Sequence, residues 1–135
     1  MNIKTLLGSV AFAVVALPGL AQAETFSLWT RADSSVFMPK LVEAFNAKGG
    51  DQAELQIVPT NELVQKYAVA SAGGSQPDAL SLDLIYTPAF AQAGQLKDLT
   101  AFAKSLPYYD ALSKAHLSVG TYEDVIYGMP FSADS

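Results

Sequence analysis

Four short runs in this chain bring together side chains that bind hydroxyl-rich molecules: Trp29-Thr30-Arg31-Ala32-Asp33, Thr60-Asn61-Glu62, Asp83-Leu84-Ile85-Tyr86 and Phe131-Ser132-Ala133-Asp134. Carboxylates and amides take paired hydrogen bonds from vicinal hydroxyls, a guanidinium donates in a fixed fork, and aromatic faces pack against apolar C–H faces. The candidate ligand contacts are therefore Trp29, Arg31, Asp33, Asn61, Asp83, Tyr86, Ser132 and Asp134. Asp83 is the most telling, because it ends an apolar run with no obvious capping role nearby. Three of the others have a plainer alternative. Trp29 could be a partly buried core ring, Asp33 a helix cap, and Asn61 a cap first and a ligand contact second.

Signatures of covalent, phosphate or metal chemistry do not occur. The chain has no Gly-x-Ser-x-Gly elbow, no His-Glu-x-x-His, no glycine-rich phosphate loop and no Cys/His metal spacing, so no cofactor is expected. His116, the only histidine, stands mid-helix between Ala115 and Leu117 and reads as a surface or packing residue. Tyr67, Tyr108 and Tyr109 read as packing. One enzymatic alternative stays open: Asp33 and Asp83 as the carboxylate pair of a secreted glycoside hydrolase.

The candidate residues fall at the ends of strands in an alternating strand–helix pattern. Thr25–Thr30, Leu55–Pro59, Ala79–Leu82 and Val125–Pro130 read as strands. Between the first two, a helix capped at Asp33–Ser35 carries Phe37, Leu41, Val42 and Phe45 on one face; Pro39 must fall in its first turn, and Gly49-Gly50 stops it. A second helix, capped by Thr60 or Asn61, carries Leu63, Tyr67 and Ala70 and stops at Gly73-Gly74. Shorter helices cover Pro88–Gln92, a stretch capped by Thr100 and bounded by Pro107, and a stretch after Asp110. This order predicts an α/β fold, a mainly parallel sheet with helices on both faces. In such sheets ligands sit beyond the carboxyl ends of the strands, where the candidate residues cluster.

Lys4, the apolar run Leu6–Leu20 and the small-x-small Ala21-Gln22-Ala23 predict a signal peptide over residues 1–23, cleaved between Ala23 and Glu24. The run is shorter than the ~20 residues a spanning helix needs, and Pro18-Gly19 interrupts it. The 135-residue chain has net charge −5 with its acids scattered, which makes nucleic acid and anionic membrane surfaces poor partners. It contains no cysteine, so neither disulfides nor a lipid anchor are expected, and export points to a soluble protein of the bacterial periplasm.

Taken in order, these motifs resemble the extracellular solute-binding proteins of ABC importers, in the carbohydrate-binding, maltose-binding-protein-like branch. The resemblance rests on Phe26-Ser-Leu-Trp29, Leu41-Val-Glu-Ala-Phe45-Asn46, Tyr67 to Gly74 with Gln76-Pro77-Asp78, Ala89 to Thr100, and Ile126-Tyr-Gly-Met-Pro-Phe131-Ser132. It departs from the family at Glu123-Asp124-Val125, where relatives place an Asp-Gly-x turn. The resemblance implies a type II periplasmic-binding-protein-like architecture of two lobes with ligand gripped between them. Residues 24–135 would then be the N-terminal lobe, truncated near the hinge crossover. It implies cleft positions at Trp29, Arg31, Asp33, Asp83, Tyr86, Ser132 and Asp134. The expected role is to bind a sugar or oligosaccharide as a monomer and deliver it to the permease subunits of the importer, without catalysis. A polyamine, an oxyanion or iron on the same fold remains the alternative.

Overall fold

Phe26, Leu28 and Thr30 alternate with Thr25, Ser27 and Trp29 to build strand β1, Thr25–Arg31, against which the following elements are placed. The structure is a computed structural model that describes residues 23–132; the signal peptide expected up to Ala23 falls, apart from that residue, outside the described residues, as does Asp134. Strands β2 (Gln52–Val58) and β3 (Ala79–Ser81) flank β1, both parallel to it, in the order β2-β1-β3. The register sets Leu28 opposite Leu55 and Ala79, and Thr30 opposite Ile57 and Ser81. Thr30 is fully buried in this middle strand, and its hydroxyl has no hydrogen-bond partner among the described residues.

Helix α1 (Met38–Asn46) connects β1 to β2, and α2 (Leu63–Ala72) connects β2 to β3. The two connections run in opposite directions across the sheet, so keeping both right-handed puts the helices on opposite faces. The side chains agree. Phe45 of α1 meets the Phe26 ring edge-on at 5.7 Å, whereas Lys66 of α2 stands 4.5 Å above the Trp29 ring. Phe26 and Trp29 differ in parity along β1 and so face opposite ways. Asn46 fastens α1 to the sheet by mimicking a strand: its Oδ1 accepts from Ala53 N (2.8 Å) and its Nδ2 donates to Ala53 O (3.1 Å).

The helix stops and the α2 face follow the sequence reading, whereas α1 begins after Phe37, leaves Leu41 and Phe45 exposed and buries Met38 instead. Pro39 lies in the first turn of α1, and positive φ at Gly49 (75°) and Gly50 (88°) ends it. Leu63, Tyr67 and Ala70 are the buried residues of α2. The Tyr67 hydroxyl donates to Gln95 O at 2.8 Å while its ring packs edge-on against Phe90, and burial pushes its pKa up. The caps differ from expectation. Asp33 does not cap α1, which begins after a turn of 3-10 helix over Ala32–Val36, and neither Thr60 nor Asn61 caps α2, whose first flanking residue is Glu62. In both places the side chain that could have capped is exposed to a better tertiary partner, described below. Helix α3 spans Thr87–Gln92, and α4, Thr100–Ser105, is started by Asp98, whose Oδ1 accepts from Thr100 N (2.7 Å); Thr100 itself is not the cap.

Helix α5 (Lys114–Val119) precedes the last elements, β4 (Thr121–Tyr122) and β5 (Val125–Ile126). Val125 to Pro130 does not add a fourth parallel strand. Glu123 (φ 48°) and Asp124 (φ 63°) form a two-residue turn of the type I′ kind, which folds β5 back antiparallel onto β4. Gly120 O then accepts from both Tyr127 N (2.9 Å) and Gly128 N (3.0 Å), engaging donors that a parallel ladder would need. The approach is so close that a Cβ on Gly120 would overlap the Gly128 carbonyl.

Candidate functional site

The carboxyl ends of the three parallel strands carry a continuous polar line. Arg31 ends β1, and its Nη1 donates to Asp83 Oδ1 just beyond β3. Its Nε lies 3.9 Å from Asp33 Oδ2, and Asp33 Oδ1 accepts from Thr60 Oγ1 (2.8 Å) beyond β2. The order Thr60, Asp33, Arg31, Asp83 thus crosses all three tips. The Arg31 side chain is only 17% exposed, while Asp33 is 62% and Asp83 46% exposed, so the guanidinium is the sunken member and the carboxylates face solvent.

Beside this line is a cavity of about 210 Å³ whose walls include Arg31, Asp83, Leu84, His116, Phe131 and Ser132. Phe131 is 54% exposed, and its ring leans on Phe37 at 6.0 Å and 57°. The opening therefore combines a guanidinium, a carboxylate, a hydroxyl and an aromatic wall. Between them these groups can donate hydrogen bonds to a small polar molecule, accept them from it and cover its apolar face. Among the described residues no group of three or more His, Asp or Glu side chains is placed to hold a metal ion.

Of the residues expected at the site, Arg31, Asp83 and Ser132 share this cavity, and Asp33 joins through the Arg31 ion pair. Asn61 lies exposed in the turn beside Thr60, off the cavity wall. Tyr86 closes the 3-10 turn Leu84–Tyr86; its neighbours Leu84 and Ile85 line the cavity and it does not. Trp29 is placed away from this cavity. It sits two residues back from the strand tip, about 7 Å down the sheet at ~3.3 Å per residue. There it lies under Lys66 in a separate hollow of about 720 Å³ bordered by Glu62 and Gln65. The aromatic wall of the opening is Phe131 instead. Asp134 lies outside the described residues. His116 also borders the cavity, which its sequence reading as surface or packing did not foresee; helical periodicity cannot tell which turn of α5 reaches a distant strand tip. A larger hollow of about 660 Å³ lies by the β4–β5 turn, lined by Lys104, Lys114, Asp110 and Glu123, and none of the strand tips reaches it.

The family of bacterial extracellular solute-binding proteins, compared through its sequence model, matches residues 40–135. No curated protein matches the chain. Among solved structures it is similar to a solute-binding protein of an ABC transporter from Thermotoga lettingae bound with alpha-D-tagatose. That match has 22% identity, a TM-score of 0.74, and covers 80% of this chain and 29% of that one. A substrate-binding protein from Listeria monocytogenes in complex with cycloalternan matches at 22% identity and TM-score 0.72, again over 80% and 29% of the two chains. A solute-binding protein from Agrobacterium vitis with bound D-mannitol matches at 26% identity and TM-score 0.67, over 77% and 26%. The chain thus spans less than a third of the length of these proteins, and the likeness establishes its fold as that of a type II periplasmic binding protein.

Proposed function

The chain belongs to the bacterial extracellular solute-binding proteins, and from that membership we propose that it supplies one wall of a sugar- or polyol-binding cleft in the substrate-binding component of an ABC importer. Residues 24–135 act as one α/β lobe, exported by cleavage after Ala23 into the periplasm. Ligand is taken up without covalent change and handed to the permease. The observation that carries this reading is the Arg31–Asp83 pair at the strand tips, flanked by Asp33 and Ser132 and walled by Phe131. It is supported by the alpha-D-tagatose, cycloalternan and D-mannitol held by proteins of the same fold. Asp33 and Asp83 are both engaged by Arg31, an arrangement suited to holding a ligand and not to the acid–nucleophile division of labour in a hydrolase.

The test is thermal unfolding of a protein carrying this chain against D-mannitol, D-tagatose and maltotriose, with spermidine and sulfate as charged controls. Saturation at a hundred times Kd stabilises by about 2.7 kcal/mol, a rise of several degrees. A rise with spermidine or sulfate alone transfers the assignment to a charged solute. Release of products from maltotriose would show the hydrolase instead.

A further inference from the structure

His116 stands on the wall of the strand-tip cavity with its ring anchored through Nδ1. Ser113, the residue before α5, accepts the His116 backbone N–H at 3.4 Å and lies 2.8 Å from His116 Nδ1 through the same Oγ. A hydroxyl has one proton to give. Its oxygen can accept two hydrogen bonds besides, so Oγ pairs with Nδ1 in either tautomer of the ring and Nε2 is the nitrogen left for another partner. Among the described residues nothing accepts from Nε2. The cavity beside it holds the ion-paired Arg31 and Asp83 together with the Ser132 hydroxyl, and Asp33 engages the same guanidinium. An imidazole on the same wall as a guanidinium, a carboxylate and a hydroxyl offers a further hydrogen bond to an oxygen-rich guest.

Resting on the binding function proposed above, we propose that His116 contacts the ligand: its Nε2, the ring nitrogen that Ser113 leaves free, hydrogen-bonds a hydroxyl of a polyol or sugar held at Arg31 and Asp83, and so helps set specificity. Calorimetric titration of wild type, His116→Ala and His116→Gln with D-mannitol, D-tagatose and maltotriose tests it. Loss of one such bond weakens binding roughly tenfold in the alanine variant, and glutamine, which keeps an N–H donor, restores it to within about threefold. The unliganded melting temperatures of the variants report folding separately. The ¹⁵N resonance of His116 Nε2, assigned by its loss in His116→Gln, shifts when wild type is saturated. Wild-type binding that alanine leaves unchanged, equal weakness of alanine and glutamine, or an unmoved Nε2 resonance each overturns the role of His116 while leaving sugar binding intact. Wild type that binds none of the three overturns both.

Discussion

Arg31, the last residue of β1, donates to Asp83, the second residue past β3, so one ion pair ties two strand tips that lie 52 residues apart in sequence. The bond holds the floor of the candidate cleft in register without any ligand, which lowers the ordering cost of binding.

Arg31→Met keeps the aliphatic stem and removes the charge, and Asp83→Ala removes its partner. A double-mutant cycle followed by urea unfolding is expected to give a coupling of about 1 kcal/mol, as suits a half-exposed pair. A coupling indistinguishable from zero would mean that the tips are held by their backbones alone.

Acid should loosen the start of β3. The Ser27 N–H and Oγ both donate to Asp78 Oδ2 at 2.8 Å, and these bonds hold the Asp78 carboxyl below its ordinary pKa of 3.8. A depressed folded pKa contributes stability that is present above the unfolded value and lost as pH falls through the folded one. Stability between pH 5 and 2 should therefore fall less steeply in Asp78→Asn than in wild type, as read from urea midpoints at stepped pH. Parallel slopes would refute it.

The β4–β5 turn places two non-glycine residues at positive φ, where L-residues pay a steric penalty of roughly 1–2 kcal/mol each. Glu123→Asn with Asp124→Gly supplies the sequence such turns prefer and is expected to raise stability by about 1 kcal/mol, measured by chemical denaturation. No gain would show that the Glu123 and Asp124 side chains offset the strain through contacts of their own.

Gly120→Ala drives a Cβ into the Gly128 carbonyl and should cost about 3 kcal/mol. Gly73→Ala is the control. Its nearest neighbour is 3.5 Å away and its φ is −92°, so it should be neutral or slightly stabilising. Paired melting curves decide between a specific clash and general intolerance of side chains.

Thr30→Val exchanges a buried hydroxyl that lacks a partner among the described residues for a methyl group of similar shape. Removing an unsatisfied polar group is worth about 1 kcal/mol. A higher melting temperature is expected, and a lower one would reveal that the hydroxyl is satisfied in solution.

Spacing within one element was readable before any coordinates. The Leu63, Tyr67 and Ala70 face of α2 and the glycine stops at Gly49 and Gly74 follow from local geometry alone. The parallel direction of the strands follows nearly as directly from the strand–helix alternation, but the β2-β1-β3 order, in which the β2-to-β3 connection steps over β1, does not. What escaped depends on partners distant in sequence. Asp33 and Thr60 both look like caps until they meet each other, and Val125-Ile126 looks like a parallel strand until the turn before it reverses the chain. Trp29 has the side chain of a stacking platform, yet its position on β1 puts it beneath Lys66; Phe131 and His116 reach the opening from segments whose placement no periodicity encodes.

The middle position of β1 has a kinetic consequence. Synthesis delivers this strand first, yet both of its ladder edges must wait, one for Gln52–Val58 and the other for Ala79–Ser81. Until then a nascent chain has no sheet to commit to, and late closure of such non-local pairings is slow. The first 51 residues therefore contain no partner for the central strand, and the sheet can begin to form only once Gln52–Val58 has been made.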